Sequence, residues 1–199
     1  MDKTKIAGII DVETTGFSPY KEEIVELGLV LFSFNCLTGQ VIDLVDEYTG
    51  LREPAVPISR GASMVHGLDM NVLRGQELDQ TRIRSMLGRA EFITAHNARF
   101  DYSFVVKIFN EAVQKPWLCT MNGINWSARG FRSKKLQELI NQHGIEVQRC
   151  HRAADDAKAV LALLSLSGQN YLSELLRSKP LNQISLESFA ETAIARDKD

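Results

Sequence analysis

Residues 5–16 read KIAGIIDVETTG, and the fold is decided by how this stretch is read. Residues 5 to 12 (KIAGIIDV) form a short, isoleucine-rich apolar run, the pattern of a fully buried strand, and the run stops where acidic residues begin. Asp11 therefore stands at the C-terminal end of that strand. Asp11 and Glu13 are two positions apart, so in extended chain their side chains share one face, at the kind of strand end where open α/β sheets bind ligands. Thr14 to Pro19 is turn chemistry. Residues 23 to 34 (EIVELGLVLFSF) resume as a strand, residues 35–39 turn the chain, and residues 40 to 49 read as the third strand of an antiparallel meander.

Beyond this meander the period changes. Ser59 to Val65 and Leu78 to Leu87 show helical spacing, and Glu91 to Ala95 reads as a short strand. Phe100, Phe104 and Ile108, flanked by Val105 and Phe109, make a helical apolar stripe, and residues 116 to 121 (PWLCTM) read as a fifth strand. Helices are expected at 133 to 143 and 152 to 167, then around 169 to 178 and 185 to 195, with a break at Lys179-Pro180. In the last of these, Leu186, Phe189 and Ala193 form an apolar stripe whose simpler use is docking on the same chain, with a partner or dimer contact as the alternative. The order predicts an α/β layer fold: a mixed five-stranded sheet with a three-strand meander, flanked by helices.

Composition bounds the function without choosing it. The 199 residues, 44% hydrophobic and 24% charged, suit one globular domain with a sizeable core. A formal charge of -2 gives no global attraction to a polyanion, so nucleic-acid contact would need a local basic patch or bound cations. Cys36, Cys119 and Cys150 form no C-x-x-C pair, which fits a reducing compartment and argues against structural zinc. The first apolar run meets acid after about six residues, too short for a signal segment or a membrane span. A cytoplasmic protein with no membrane partner is expected, and no internal repeat or low-complexity stretch is found.

Two further acidic elements join Asp11 and Glu13. In His96-Asn97-Ala98-Arg99-Phe100-Asp101, the carboxylate falls in the first turn of the striped helix, where it also interacts favourably with the helix dipole. Its phase with Val105 and Phe109 turns it toward the sheet, where a carboxylate needs a compensating partner. In His151-Arg152-Ala153-Ala154-Asp155-Asp156-Ala157, Asp156 lies in phase with Val160 and Leu163 on the buried side, and Asp155 is expected to point away into solvent. Taken singly, a D-x-E pair solvates turns and a histidine before a helix caps it.

Together, D-x-E-T-T-G at 11 to 16, H-N-x-x-F-D at 96 to 101 and H-x-A-x-x-D-A at 151 to 157 resemble the three motifs of the DEDDh, or DnaQ-like, 3'-5' exonucleases. That family includes the proofreading epsilon subunit of bacterial replicative DNA polymerase. The resemblance covers about residues 5 to 167 and implies an RNase H-like exonuclease fold, with residues 1–167 as the exonuclease domain and 168–199 as a helical extension packed on it.

The resemblance implies hydrolysis of phosphodiester bonds at a 3' end, releasing nucleoside monophosphates with two divalent cations. Asp11, Glu13, Asp101 and Asp156 are the implied ligands, and an all-carboxylate donor set suits Mg²⁺ or Mn²⁺. His151 is the implied general base, since an imidazole with an unperturbed pKa near 6.5 can take a proton from the attacking water close to neutral pH. Implied substrate contacts are Thr14, Thr15, Gly16, Asn97 and Phe100. Val65 and His66 join them because residues 65–67 resemble the family's V-H-G segment.

Arg129-Gly130-Phe131-Arg132-Ser133-Lys134-Lys135 packs four cations and one aromatic into seven residues, which suits phosphate contact or simply a solvated loop. Trp117 and Trp126 are assigned to packing. Three matters stay open: RNA in place of DNA as substrate, a binding module without catalysis, and action alone or beside a polymerase or other replication or repair partner. The motifs do not address the oligomeric state either.

Overall fold

The computed structural model describes residues 3–147 and 151–182. Three long strands open the chain: β1 (Thr4–Thr14), β2 (Ile24–Asn35) and β3 (Gln40–Leu51). They are followed by α1 (Arg60–His66), α2 (Met70–Leu73), α3 (Gln80–Arg89), β4 (Ile93–Ala95), α4 (Ala98–Val105), α5 (Asn110–Val113) and β5 (Trp117–Cys119). The described chain closes with α6 (Thr120–Gly123), α7 (Leu136–Gln142), α8 (Ala153–Leu164) and α9 (Tyr171–Leu176).

The strands form one sheet in the order β3-β2-β1-β4-β5, with β3, β2 and β1 antiparallel and β4 and β5 parallel to β1. Alternation along the strands separates two cores. Ala7, Ile9, Val30 and Phe32 pack under α7, α8 and α9 on one face, while Ile10, Val12, Leu29 and Leu31 pack under α3, α4 and α5 on the other. Strand β2 is covered on both faces, which is why its sequence is apolar over most of its length. Trp117 and Trp126 are fully buried core residues.

By parity, Asp11 and Glu13 belong to the α8 side, as do their ladder partners Gly28 and Glu26 on β2. Gly28 is what allows α8 to come this close. A Cβ there would lie 2.4 Å from the backbone of Ala153, so any side chain would push the start of α8 off the sheet.

Some expected boundaries shift for visible reasons. The stripe through Ile108 is not one helix: α4 stops at Val105, and residues up to Phe109 turn while keeping that ring buried. The helix expected from 133 begins at Leu136: Lys135 is extended, and the residue before it is held by a bond between His96 Nε2 and the Lys134 carbonyl at 2.6 Å. Helix α8 ends at Leu164, where the Ser165 hydroxyl donates to the Leu161 carbonyl. The short helices α2, α5 and α6 lack the length to show a period in sequence. The helix expected at 185–195 lies outside the described residues. Among the described residues, no helix is long and apolar enough to cross a membrane.

Candidate active site

The carboxyl ends of β1 and β4, the start of α4 and the start of α8 surround a cleft of about 730 Å³. All the residues expected at the site line it except Thr15. Thr15 is fully buried: its hydroxyl donates to Glu22 at 2.5 Å and accepts the Glu23 N–H, so it shapes the turn from beneath. Thr14 donates to the Gly16 carbonyl at 2.7 Å, closing the same turn at the cleft wall.

Asp101 reaches β1 from the opposite side of the sheet to α8. Strand β4 pairs with β1 only at Gly8 and Ile9, so the Val12 N–H has no ladder partner there. The Asp101 carboxylate accepts it at 3.1 Å. Asp156 is held from two directions, accepting from the Gln137 amide at 3.0 Å and from the His151 backbone N–H at 3.2 Å. His151 itself is exposed and has a left-handed φ of 59°, costly for a residue with a Cβ.

These four carboxylates sit close enough to resist joint ionisation. Burial and then the charges of Asp101, Asp156, Glu13 and Glu26 hold Asp11 well above the usual carboxylate range. Burial and the neighbouring charge of Asp156 push Glu13 up to about 8. Asp101 is pushed to about 7 by burial, against the opposing bond from Val12, and Asp156 is also raised by burial. Glu13, His151 and Asp156 each offer a ligand atom, all within 4.8 Å of one another. Two carboxylates and an imidazole in ligand reach of one another, with the buried carboxylates of Asp11 and Asp101 lining the same cleft, fit a divalent cation.

The rim is less acidic. Val65 is half exposed, Asn97 is exposed at the start of α4, and Phe100 lines the cleft with its ring tilted against Phe104 at 5.0 Å between centroids. His66 has both ring nitrogens committed, Nδ1 accepting from the Leu68 N–H and Nε2 facing the Thr14 carbonyl at 3.3 Å. It braces Thr14 from α1. His96 is likewise committed, between Thr120 and Lys134.

The basic loop divides. Arg129 donates to Glu174 at 2.6 Å and lies 4.6 Å over the Tyr171 ring, while Phe131 stacks on His143, so both serve packing against α7 and α9. Lys135 is exposed and lines the cleft. Asp155, expected in solvent, is instead half buried beside its helix neighbours, since the first turn of α8 is pressed onto the sheet at Gly28.

Sequence reasoning assigned no role to Gln137, Glu26 or Arg152. Glu26 carried a usable signal, being the one charge inside the apolar run of β2. Gln137 carried none, because its role depends on where α7 lands.

A family model described as Exonuclease matches residues 9–164. Among curated relatives, the PolC-type DNA polymerase III of Thermotoga maritima is 30% identical over 204 residues, covering 96% of this chain and 14% of that protein. That of Clostridium perfringens is 27% identical, covering 84% of this chain and 11% of the relative. The chain thus spans about a seventh or less of the curated relatives it matches. A solved structure described as Exonuclease X in complex with 5' overhanging duplex DNA superposes with a TM-score of 0.59 at 27% identity, covering 80% of this chain and 89% of that one. E. coli Exonuclease I with a dT13 oligonucleotide gives a TM-score of 0.70 at 19% identity, covering 86% of this chain and 43% of the other, a likeness of fold.

Proposed function

This chain belongs to the exonuclease family, with the mixed five-stranded sheet of DnaQ-like 3'-5' exonucleases, and we propose that it removes nucleotides one at a time from the 3' end of DNA. The observation that carries this reading is the convergence of Asp11, Glu13, Asp101 and Asp156 with His151 at one strand end of an open cleft. In this reading those four carboxylates hold two divalent cations, Mg²⁺ or Mn²⁺, which when bound supply positive charge for the attacked phosphate and for the leaving oxygen.

The chain's own residues do the rest. His151, exposed at the cleft and close to Glu13 and Asp156, takes the proton from the attacking water. Gln137 keeps Asp156 turned toward the other acids. The 14–16 turn offers backbone groups to the terminal nucleotide, with Val65 and Phe100 as apolar walls for its base and Asn97 as a polar one. Among the described residues lining the cleft, Lys135 is the one cation, placed to meet a backbone phosphate.

DNA is favoured over RNA because the relative with 27% identity is described with duplex DNA and the curated relatives carry this match within a DNA polymerase. The same relatives support a polymerase as working partner. Single-stranded or frayed ends suit a cleft that takes one strand end. The test is hydrolysis of end-labelled single-stranded DNA, duplex DNA and RNA of one sequence with Mn²⁺. Mononucleotide release from DNA 3' ends is expected, and equal or faster RNA trimming would reverse the substrate assignment.

A further inference from the structure

Glu26 is 1% exposed, is the one charged residue of β2, and lies directly across the ladder from Glu13. A carboxylate in that position must be compensated. Arg152 does so in a two-pronged pair: Nε donates to Oε1 at 3.1 Å and to Oε2 at 2.9 Å, and Nη2 donates to Oε1 at 2.7 Å. The Ala153 N–H also donates to Oε2, at 3.3 Å. Both oxygens are therefore committed to the start of α8.

Arg152 sits between the two functional residues of that helix start. Its carbonyl accepts the Asp156 N–H at 2.9 Å, and the His151 N–H donates to the Asp156 carboxylate from a left-handed backbone that needs support. Gly28, two positions along β2 from Glu26, supplies the space that lets this turn sit against the sheet. We propose that Glu26 and Arg152 form a positioning clamp that sets His151 and Asp156 against Asp11 and Glu13, with Glu26 as the counter-ion of Arg152 and no ligand of the cations. The inference rests on the exonuclease reading above. Removal of Arg152 leaves Glu26 buried and unpaired beside the acidic cluster, and removal of Glu26 leaves the part-buried Arg152 without its anchor, so the pair acts as one unit.

The experiment compares Glu26→Gln, Arg152→Gln, the double variant and Arg152→Lys in the full chain, measuring kcat and KM on 3'-labelled single-stranded DNA and melting with and without Mn²⁺. Each Gln variant should lose about tenfold or more in kcat, as for other groups that orient metal ligands, with KM for DNA within about twofold of wild type. The double variant should be no worse than either single one, and Arg152→Lys should recover part of the loss because the charge stays while the planar fork goes. Unchanged kcat in folded Gln variants, with only the melting point lowered, would overturn the clamp. So would a raised Mn²⁺ requirement in Glu26→Gln alone, which would make Glu26 a ligand. If the Gln variants do not fold, Arg152→Lys decides, and full kcat there overturns the proposal. An inactive wild type that still melts higher with Mn²⁺ would defeat the exonuclease reading separately, and the clamp would then be read from a smaller Mn²⁺ shift in the variants.

Discussion

Helices α4 and α8 each deliver a carboxylate to the cleft from their first turn, yet they are tied to the sheet by different means. Asp101 of α4 accepts a backbone N–H of β1, so it cannot shift without disturbing the central strand. Asp156 of α8 is held by the Gln137 side chain and by the backbone of His151, and the whole turn hangs on the Glu26–Arg152 pair. One side of the site is fixed by the sheet itself. The other is fixed by side chains, and it carries the exposed histidine. Both sides carry a proposed cation ligand, but only the side held by side chains also carries the proposed proton acceptor, which must stand at an edge open to water.

The most severe way to break this arrangement is to remove a group on the sheet side. Asp11→Ala should cost at least about a thousandfold in turnover, since the charge stabilisation from bound cations is worth several kcal/mol. It should also erase the Mn²⁺-induced rise in melting temperature, and a retained rise would show that Asp11 is not a ligand. On the α8 side, His151→Ala should lower kcat by about 10²- to 10⁴-fold while Mn²⁺ binding and DNA binding persist. Full activity in that variant would remove the general-base assignment.

A third test uses pH in place of mutation. Without cations, Glu13 at about 8 and Asp101 at about 7 keep protons that an unfolded chain releases near pH 4. Their contribution to stability is complete below that unfolded value and is lost as pH rises through the folded values. His66 and His96, lowered by burial, oppose this trend below about pH 6.5. The melting temperature of the metal-free protein should therefore fall between about pH 6.5 and 8, and saturating Mn²⁺ should flatten the fall because ligation needs the ionised carboxylates. A metal-free profile that rises through that window would show that the acids are not crowded as described.

The smallest effect is expected away from the cleft. Arg129→Ala should lower stability by about 1 kcal/mol, from a half-buried ion pair and a cation–π contact, and leave turnover nearly unchanged. A large loss of DNA affinity instead would return the whole basic loop to the substrate path.

The meander, the two-residue spacing of Asp11 and Glu13 and the burial of Asp156 beside Val160 were legible because each depends on a local period. The same reading failed at Asp155, whose phase pointed to solvent but whose helix start is pressed against β2. It also ran α4 through to Ile108, because an apolar stripe continues through a turn as readily as through a helix. Arg129 and Phe131 looked like a nucleic-acid loop by composition, and their partners Glu174 and His143 lie too far along the chain for any spacing to reveal.

What the sequence determined alone is the family and a set of candidate residues: three short motifs whose residue types and order suffice to name the family. Only the tertiary structure decided which groups hold those residues in place. Glu26 and Arg152 are 126 positions apart, and Gln137 lies 19 residues from Asp156 on another helix. No local period links them. Their pairing follows from the layering of α7 and α8 over β2, where a buried charge or amide must find its partner across the chain.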